Sequence, residues 1–192
     1  MNPARILTEL PDTFRFNDAV KLIGEGRFRR LLADGQIIRL AHGLYRKADW
    51  IGDEDLLAIA TRAPRATLAL RSALARHDLI DDIPSTIDIA IPRGAWAPKL
   101  ETPVRWHRFD ATTFDIGRDD LSIGQSHSIG IYSAQRSIID AFRLRHLEGD
   151  DLGIESLKRW LHQGGQASEL LRLAKSFPTA QRGLNQTISI LL

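Results

Sequence analysis

RFNDAVKLIGEGRFRRLLADGQIIRLAHGLYRK, residues 15–47, decides how the rest of the chain is read. Phe14, Phe16, Ala19, Val20, Leu22 and Ile23 recur at the spacing of one helix face, in a helix expected to start near Asn17, whose side-chain oxygen can cap the free amides. Gly24 and Gly26 interrupt it. A second helix, Arg27 to Asp34, turns Phe28, Leu31 and Leu32 inward and leaves Arg27, Arg30 and Asp34 outward, with Arg29 on one flank. Gly35 closes that helix in the left-handed cap position. Ile37, Ile38 and Leu40 then run extended, His42 and Gly43 make a turn, and Leu44, Tyr45, Arg46 and Lys47 return as the second strand of a hairpin. Leu44 and Tyr45 read as packing residues of that hairpin rather than as stacking platforms.

Helix, glycine turn, helix and basic hairpin together outline a winged helix-turn-helix, a fold whose partner is duplex DNA. Charge points the same way. Arg15, Lys21, Arg27, Arg29, Arg30, Arg39, Arg46 and Lys47 stand against Asp18, Glu25 and Asp34, so this segment is +5 in a chain of only +2, and the remainder is acidic at −3. A basic head on an acidic body suits phosphate binding, because each neutralised phosphate releases condensed counterions. The competing reading is a solvated helix face, the usual fate of a charge run.

The 192 residues, 43% of them hydrophobic, can bury a real core, and the simplest division is a small DNA-binding domain over 1–50 and an α+β body over 51–192. No run reaches the roughly 18 apolar residues of a membrane span, and the start, MNPARILTELPD, lacks a basic stretch followed by an apolar one. A cytoplasmic protein with no membrane partner is expected. Cysteine is absent, which excludes disulfides, thiolate catalysis and zinc-finger DNA binding together.

Past residue 50 the pattern changes. Asp53 to Arg62 is an acid-started helix ended by Pro64, and Ala66 to His77 reads as a second helix packed on it as a hairpin. Thr86 to Pro92 and Val104 to Phe109 alternate as strands with one buried face, joined by the loop RGAWAPKLETP. Leu121 to Gly124 and His127 to Tyr132 are two further strands. From Ala134 a helix sets Ile138, Ile139, Ala141, Phe142 and Leu144 inward, with Arg136, Asp140, Arg143 and Arg145 largely outward as an ordinary surface network. Ile154 to Leu161, Ala167 to Ser176 and Thr179 to Leu192 complete a helical tail, so the fold class is α+β, a short sheet between an opening helix pair and that tail. Trp96, Trp106 and Trp160 default to core, and His77 to a helix end.

Catalytic signatures are missing. The Asp-x-Asp at Asp53 and Asp55 sits at a helix start with no Gly-Ser before it, unlike a nucleotidyltransferase metal site. Glu155 and Lys158 fall in a helix, and no P-loop, HExxH or serine elbow occurs. No enzyme activity, metal or cofactor is expected.

Three stretches carry a family resemblance: the head with LLADGQIIRL and AHGLYR, then LRSALARHDL at residues 70–79, then IYSAQRSIIDAFRLRH at residues 131–146. In this order they resemble the AbiEi-type antitoxins of bacterial toxin-antitoxin systems, with Ser137 where threonine is more usual and Gly24-Glu25-Gly26 where a serine or threonine cluster is more usual. The resemblance implies a winged head that binds double-stranded operator DNA at inverted repeats, represses its own operon, and opposes a nucleotidyltransferase-like toxin directly or indirectly. It places DNA contacts at Arg27, Arg29 and Arg30 of the second helix and at Arg39, His42, Arg46 and Lys47 of the wing. Within that set, Arg27 and Arg30 suit base edges in the major groove, and Arg29, Arg46 and Lys47 suit phosphates. The alternative is an interaction module that neutralises the toxin by direct binding. No heptad seam appears, so a monomer on each half-site is expected.

Overall fold

In a computed structural model, residues 7–124 and 127–191 are described. The chain is α+β, with two sheets and helices between and after their strands. It divides into two compact units, Met1–Arg62 with Ser122–Ser128, and Ala63–Leu121 with Ile129–Leu192.

The first unit contains β1 (Thr13–Arg15), α1 (Phe16–Ile23), α2 (Glu25–Ala33), β2 (Ile37–Ala41), β3 (Leu44–Lys47) and α3 (Glu54–Arg62). Its sheet has the order β1-β3-β2, antiparallel throughout, with Phe14 opposite Tyr45 and Tyr45 opposite Arg39. Helix, turn, helix and hairpin follow the expected order. Strand β1 was not expected, and it moves the start of α1: the chain passes straight from strand to helix at Phe16, whose N–H donates to the Gly43 carbonyl at 2.9 Å. Asn17 therefore lies inside α1 and caps nothing, since Arg15 holds the cap position without a side-chain bond. Gly24 alone breaks the helices, at φ +80° and ψ 152°, a region open essentially to glycine. Gly26 sits inside α2, which begins two residues earlier than expected. Gly35 has the expected left-handed φ of +67°.

Leu10, Phe14, Ala19, Ile23, Phe28, Leu31 and Ile37 form the core of this unit. The Phe28 ring stands edge-on to both Phe16 and Tyr45, 4.9 Å from each centroid, an arrangement the ring quadrupoles favour. Leu44 and Tyr45 pack as expected. Leu22 and Leu32 do not: they are 58% and 38% exposed, because α1 and α2 each bury only one narrow stripe. The unit also reaches past residue 50. Asp53 caps α3 by accepting from the Leu56 amide at 3.0 Å, and Gly124 lies so close to Trp50 that a Cβ there would meet the indole nitrogen at 2.6 Å.

The second unit opens with β4 (Thr67–Leu68) and α4 (Leu70–Arg76), where a single helix and a helix hairpin were expected. Ala66 to Leu70 are all buried, and such a short apolar run cannot be told from a helix by periodicity. β4 is the central strand of the order β6-β5-β4-β8-β7, where β5 is Ile87–Pro92, β6 Val104–Phe109, β7 Arg118–Ile123 and β8 His127–Tyr132. It pairs antiparallel with β5, Leu68 opposite Ile89, and parallel with β8, Leu68 opposite Ile131. β5 and β6 run parallel, Ile87 opposite Val104, and no helix interrupts the connection from residue 93 to 103. Residues 88–91 are buried without alternation, so β5 is covered on both faces rather than one.

Helix α5 (Ala134–Arg143) packs against α4 and against three of the helices that follow it, α7 (Asp150–His162), α8 (Ala167–Ala174) and α9 (Pro178–Leu191). The short α6 (Arg145–Glu148) lies between α5 and α7. Leu74, Ile138, Ile139, Phe142, Leu157 and Trp160 belong to the shared apolar core. Trp160 is buried as expected and Trp106 half-buried, but Trp96 is 73% exposed in the loop after β5.

Candidate nucleic-acid interface

At 100° per residue, Phe28 and Leu31 point α2 inward. The opposite, solvent-facing side has Gly26 and Ala33 at its centre, Arg29 on one flank and Arg30 on the other, with Arg27 further round. All of these residues are exposed, including the three arginines predicted as contacts. Arg29 is held by Glu25, one turn earlier, through Nη2 to Oε1 at 2.6 Å. This is a solvent-exposed i,i+4 pair, with Arg29 76% exposed, and such pairs add little to stability. At Gly26 a Cβ would have open space around it, so packing inside this chain does not require glycine there.

The hairpin tip brings Arg39 and His42 together: Arg39 Nη2 lies 3.4 Å from His42 Nδ1, and both side chains are exposed. Tip and α2 thus present exposed basic groups on neighbouring elements of one unit. Arg46 and Lys47 differ from expectation. Only 14% of the Arg46 side chain is exposed; its Nε donates to Glu54 Oε1 at 2.8 Å and its Nη1 to the carbonyls of Lys47 and Ala48, each at 3.0 Å. Lys47 Nζ is 3.2 Å from Asp12 Oδ1. Both cations tie β3 to neighbouring segments, and the acids that hold them lie 8 and 35 residues away in sequence.

The second unit holds charged residues that the sequence placed on a surface. Arg136 and Asp140 are fully buried on α5. Arg136 Nε donates to Asp140 Oδ2 at 2.9 Å, and its Nη1 donates to the carbonyls of Thr113 and Ile116 at 2.8 and 2.6 Å. Its guanidinium lies 4.3 Å from the Tyr132 ring centre and 4.2 Å from that of Phe177. Arg143 adds Nη2 at 3.0 Å from Asp140 Oδ1 and covers Phe109 at 4.3 Å. Burial pushes the Asp140 carboxyl upward from its ordinary range against the opposing pull of both arginines. Burial likewise raises the Tyr132 phenol, whose hydroxyl donates to the Phe114 carbonyl at 2.9 Å.

Residues of both body motifs make bonds that hold the second unit together. In YSAQRSIID, Ser133 caps α5 by accepting from the Arg136 amide, Ser137 donates to the Tyr132 carbonyl, and Arg136 and Asp140 form the buried pair. In RSALARH, Ser72 Oγ accepts from the Asp88 amide at 2.8 Å, and a His77 ring nitrogen lies 2.8 Å from the Tyr132 carbonyl. His77 is the C-cap of α4, as expected. Asp53, from the Asp-x-Asp pair, caps a helix. Among the described residues no group of three or more His, Cys, Asp or Glu is arranged to hold a metal ion, and no helix is long and apolar enough to cross a membrane.

No family model matches the chain, and no curated protein matches it. Among solved structures it is similar to the crystal structure of the RV2827C protein from Mycobacterium tuberculosis, with a TM-score of 0.56 over 97% of this chain and 79% of that one, at 15% identity. At that identity the likeness extends to the fold alone.

Proposed function

We propose that the chain is a DNA-binding regulator whose first unit acts as a winged helix-turn-helix: α2 enters the major groove and the β2–β3 hairpin lies beside it. The observation that carries this is the outer face of α2, where the exposed Arg29 and Arg30 flank the side opposite a buried Phe28–Leu31 stripe and the exposed Arg27 lies further round, next to an exposed Arg39–His42 tip. Arg30 reads base edges, and Arg27, Arg29, Arg39 and His42 position the helix and the wing. Arg46 and Lys47 serve the fold of the head first. The order of motifs resembling AbiEi-type antitoxins supports a narrower role, autorepression of a toxin-antitoxin operon against a nucleotidyltransferase-like toxin.

The test is a titration of the wild-type chain and Arg30→Ala on its own upstream DNA and on random duplex at two salt concentrations. Loss of a base-reading arginine costs about 1–3 kcal/mol on the operator and much less on random DNA. Equal losses on both remove the base-reading role, and no binding to either duplex removes the DNA reading. A second reading is direct capture of the toxin by the body, which exposes Ile83 at 95%, Trp96 at 73% and Leu147 at 63%. A complex that survives high salt marks that mode, because apolar contacts are not screened.

A further inference from the structure

A groove of about 450 Å³ opens on the second unit between the loop that follows α4 and the strands β5 and β6. Two arginines line it, Arg71 from α4 and Arg105 from β6, and both are held from behind by buried carboxylates. Glu148, with 3% of its side chain exposed, takes Arg71 Nε on Oε2 at 3.1 Å and faces Arg105 Nη2 with Oε1 at 2.8 Å. Asp88, 1% exposed and opposite Arg105 in the β5–β6 register, accepts from Arg105 Nε at 2.6 Å and lies 2.8 Å from His107 Nε2. Burial alone would raise the Asp88 carboxyl, yet hydrogen bonds from His107 and Arg105 hold it below the ordinary range.

Two guanidinium groups are therefore fixed by their inner edges on opposite oxygens of one carboxylate. The nitrogens these carboxylates hold are Arg71 Nε and Arg105 Nε and Nη2. Burying two carboxylates is costly, and an apolar core would serve stability as well or better. What the arrangement supplies is a pair of pre-oriented donors at the wall of a groove, with the Ser85 and Thr86 hydroxyls and the apolar Ile83 and Pro84 on the facing loop. Two carboxylates also line the groove: Asp88, already taken by Arg105 and His107, and the exposed competitor Asp82, whose Oδ2 lies 3.9 Å from Arg71 Nη1 and whose side chain is 84% exposed.

We propose that this groove binds the phosphate monoester of a small molecule of nucleotide size, with Arg71 and Arg105 sharing its oxygens and the Ile83–Pro84 loop covering its organic part. Three terminal oxygens of a monoester suit two forks that converge from different elements, whereas a lone carboxylate fills only one. The volume is that of a small-ligand site. The inference is independent of DNA binding by the first unit.

The test is calorimetric titration of the full chain with adenosine 5′-monophosphate, inorganic phosphate and acetate in a phosphate-free buffer. One saturable site for the monophosphate is expected, tighter than for phosphate and absent for acetate. Arg71→Gln should weaken it at least about tenfold. Asp82→Asn should tighten it about threefold, because it removes the competing carboxylate without touching the buried ones. Thermal melting shows whether each variant is folded; should Arg71→Gln unfold, the sign of the Asp82→Asn effect decides alone, since that residue is exposed. No saturable binding, weaker binding by Asp82→Asn, equal binding by a folded Arg71→Gln, or displacement of the nucleotide by random duplex DNA overturns the assignment.

Discussion

Replacing Arg136 by methionine isolates a fully buried ion pair of the body. The side chain is wholly buried, and the substitution removes its bond to Asp140, its bonds to the carbonyls of Thr113 and Ile116, and its seat between Tyr132 and Phe177. Asp140 keeps only Arg143, through a contact at 3.0 Å. Breaking a buried pair from one side costs about 3–5 kcal/mol, most of it the uncompensated charge that remains. Methionine retains most of the volume, so the cavity contribution is small. At about 2–4 °C per kcal/mol for a chain of this size, the melting temperature should fall by roughly 6–20 °C. Chemical unfolding of wild type, Arg136→Met, Asp140→Leu and the double variant measures it, and the double variant should recover part of the loss because the two fully buried charges leave together and only the partly exposed Arg143 loses a partner. A single-variant loss below about 1 kcal/mol, or a double variant that merely adds the two single losses, refutes the buried-pair account.

Three other outcomes follow from the same geometry. Gly24→Ala forces a side chain into a backbone region open essentially to glycine and should destabilise the chain by about 1–3 kcal/mol, read from urea unfolding; Gly26→Ala meets open space, should stabilise α2 by up to about 1 kcal/mol, and should weaken DNA binding at a helix face that approaches the duplex closely. Asp88 titrates below the ordinary carboxylate value of 3.8, so its stabilisation is complete above that value and is lost as pH falls through the folded one; Asp88→Asn should flatten the acid limb of a stability-against-pH curve, and an unchanged limb counts against it. Arg46→Ala, which breaks the bond to Glu54, should lower the melting temperature and leave the salt slope of DNA binding unchanged, the reverse of Arg29→Ala.

The head was legible where its signals are local. Glycine at 24 and 35, apolar spacing in α1 and α2, and the His42–Gly43 turn act within a few residues of one another, and each places its element to within about two residues. β1 escaped because three residues carry no period of their own; its partner β3 lies some thirty residues downstream. The same non-locality hid the roles of Arg46 and Lys47, whose acids come from α3 and from the segment before β1. Arg136 and Asp140 were misplaced for a different reason. A pair at i and i+4 has one spacing whether it faces water or a core, and only the rings of Phe109, Tyr132 and Phe177, from three other segments, distinguish the two. The groove with Arg71 and Arg105 had no local signature at all, since α4, β5, β6 and α6 each contribute a single charged residue or two.

The first unit is discontinuous in the chain, and this has a consequence for synthesis. The Thr13 hydroxyl lies 3.0 Å from the His127 ring across a separation of 114 residues, and Trp50 rests on Gly124. The first unit therefore lacks both of these contacts while its first 62 residues leave the ribosome. It waits for residue 128, by which point β4 has also come within two residues of its pairing partner at Gly130, so head and central sheet are completed at nearly the same stage of translation. A gene truncated after residue 62 encodes a first unit without its Thr13–His127 and Trp50–Gly124 contacts.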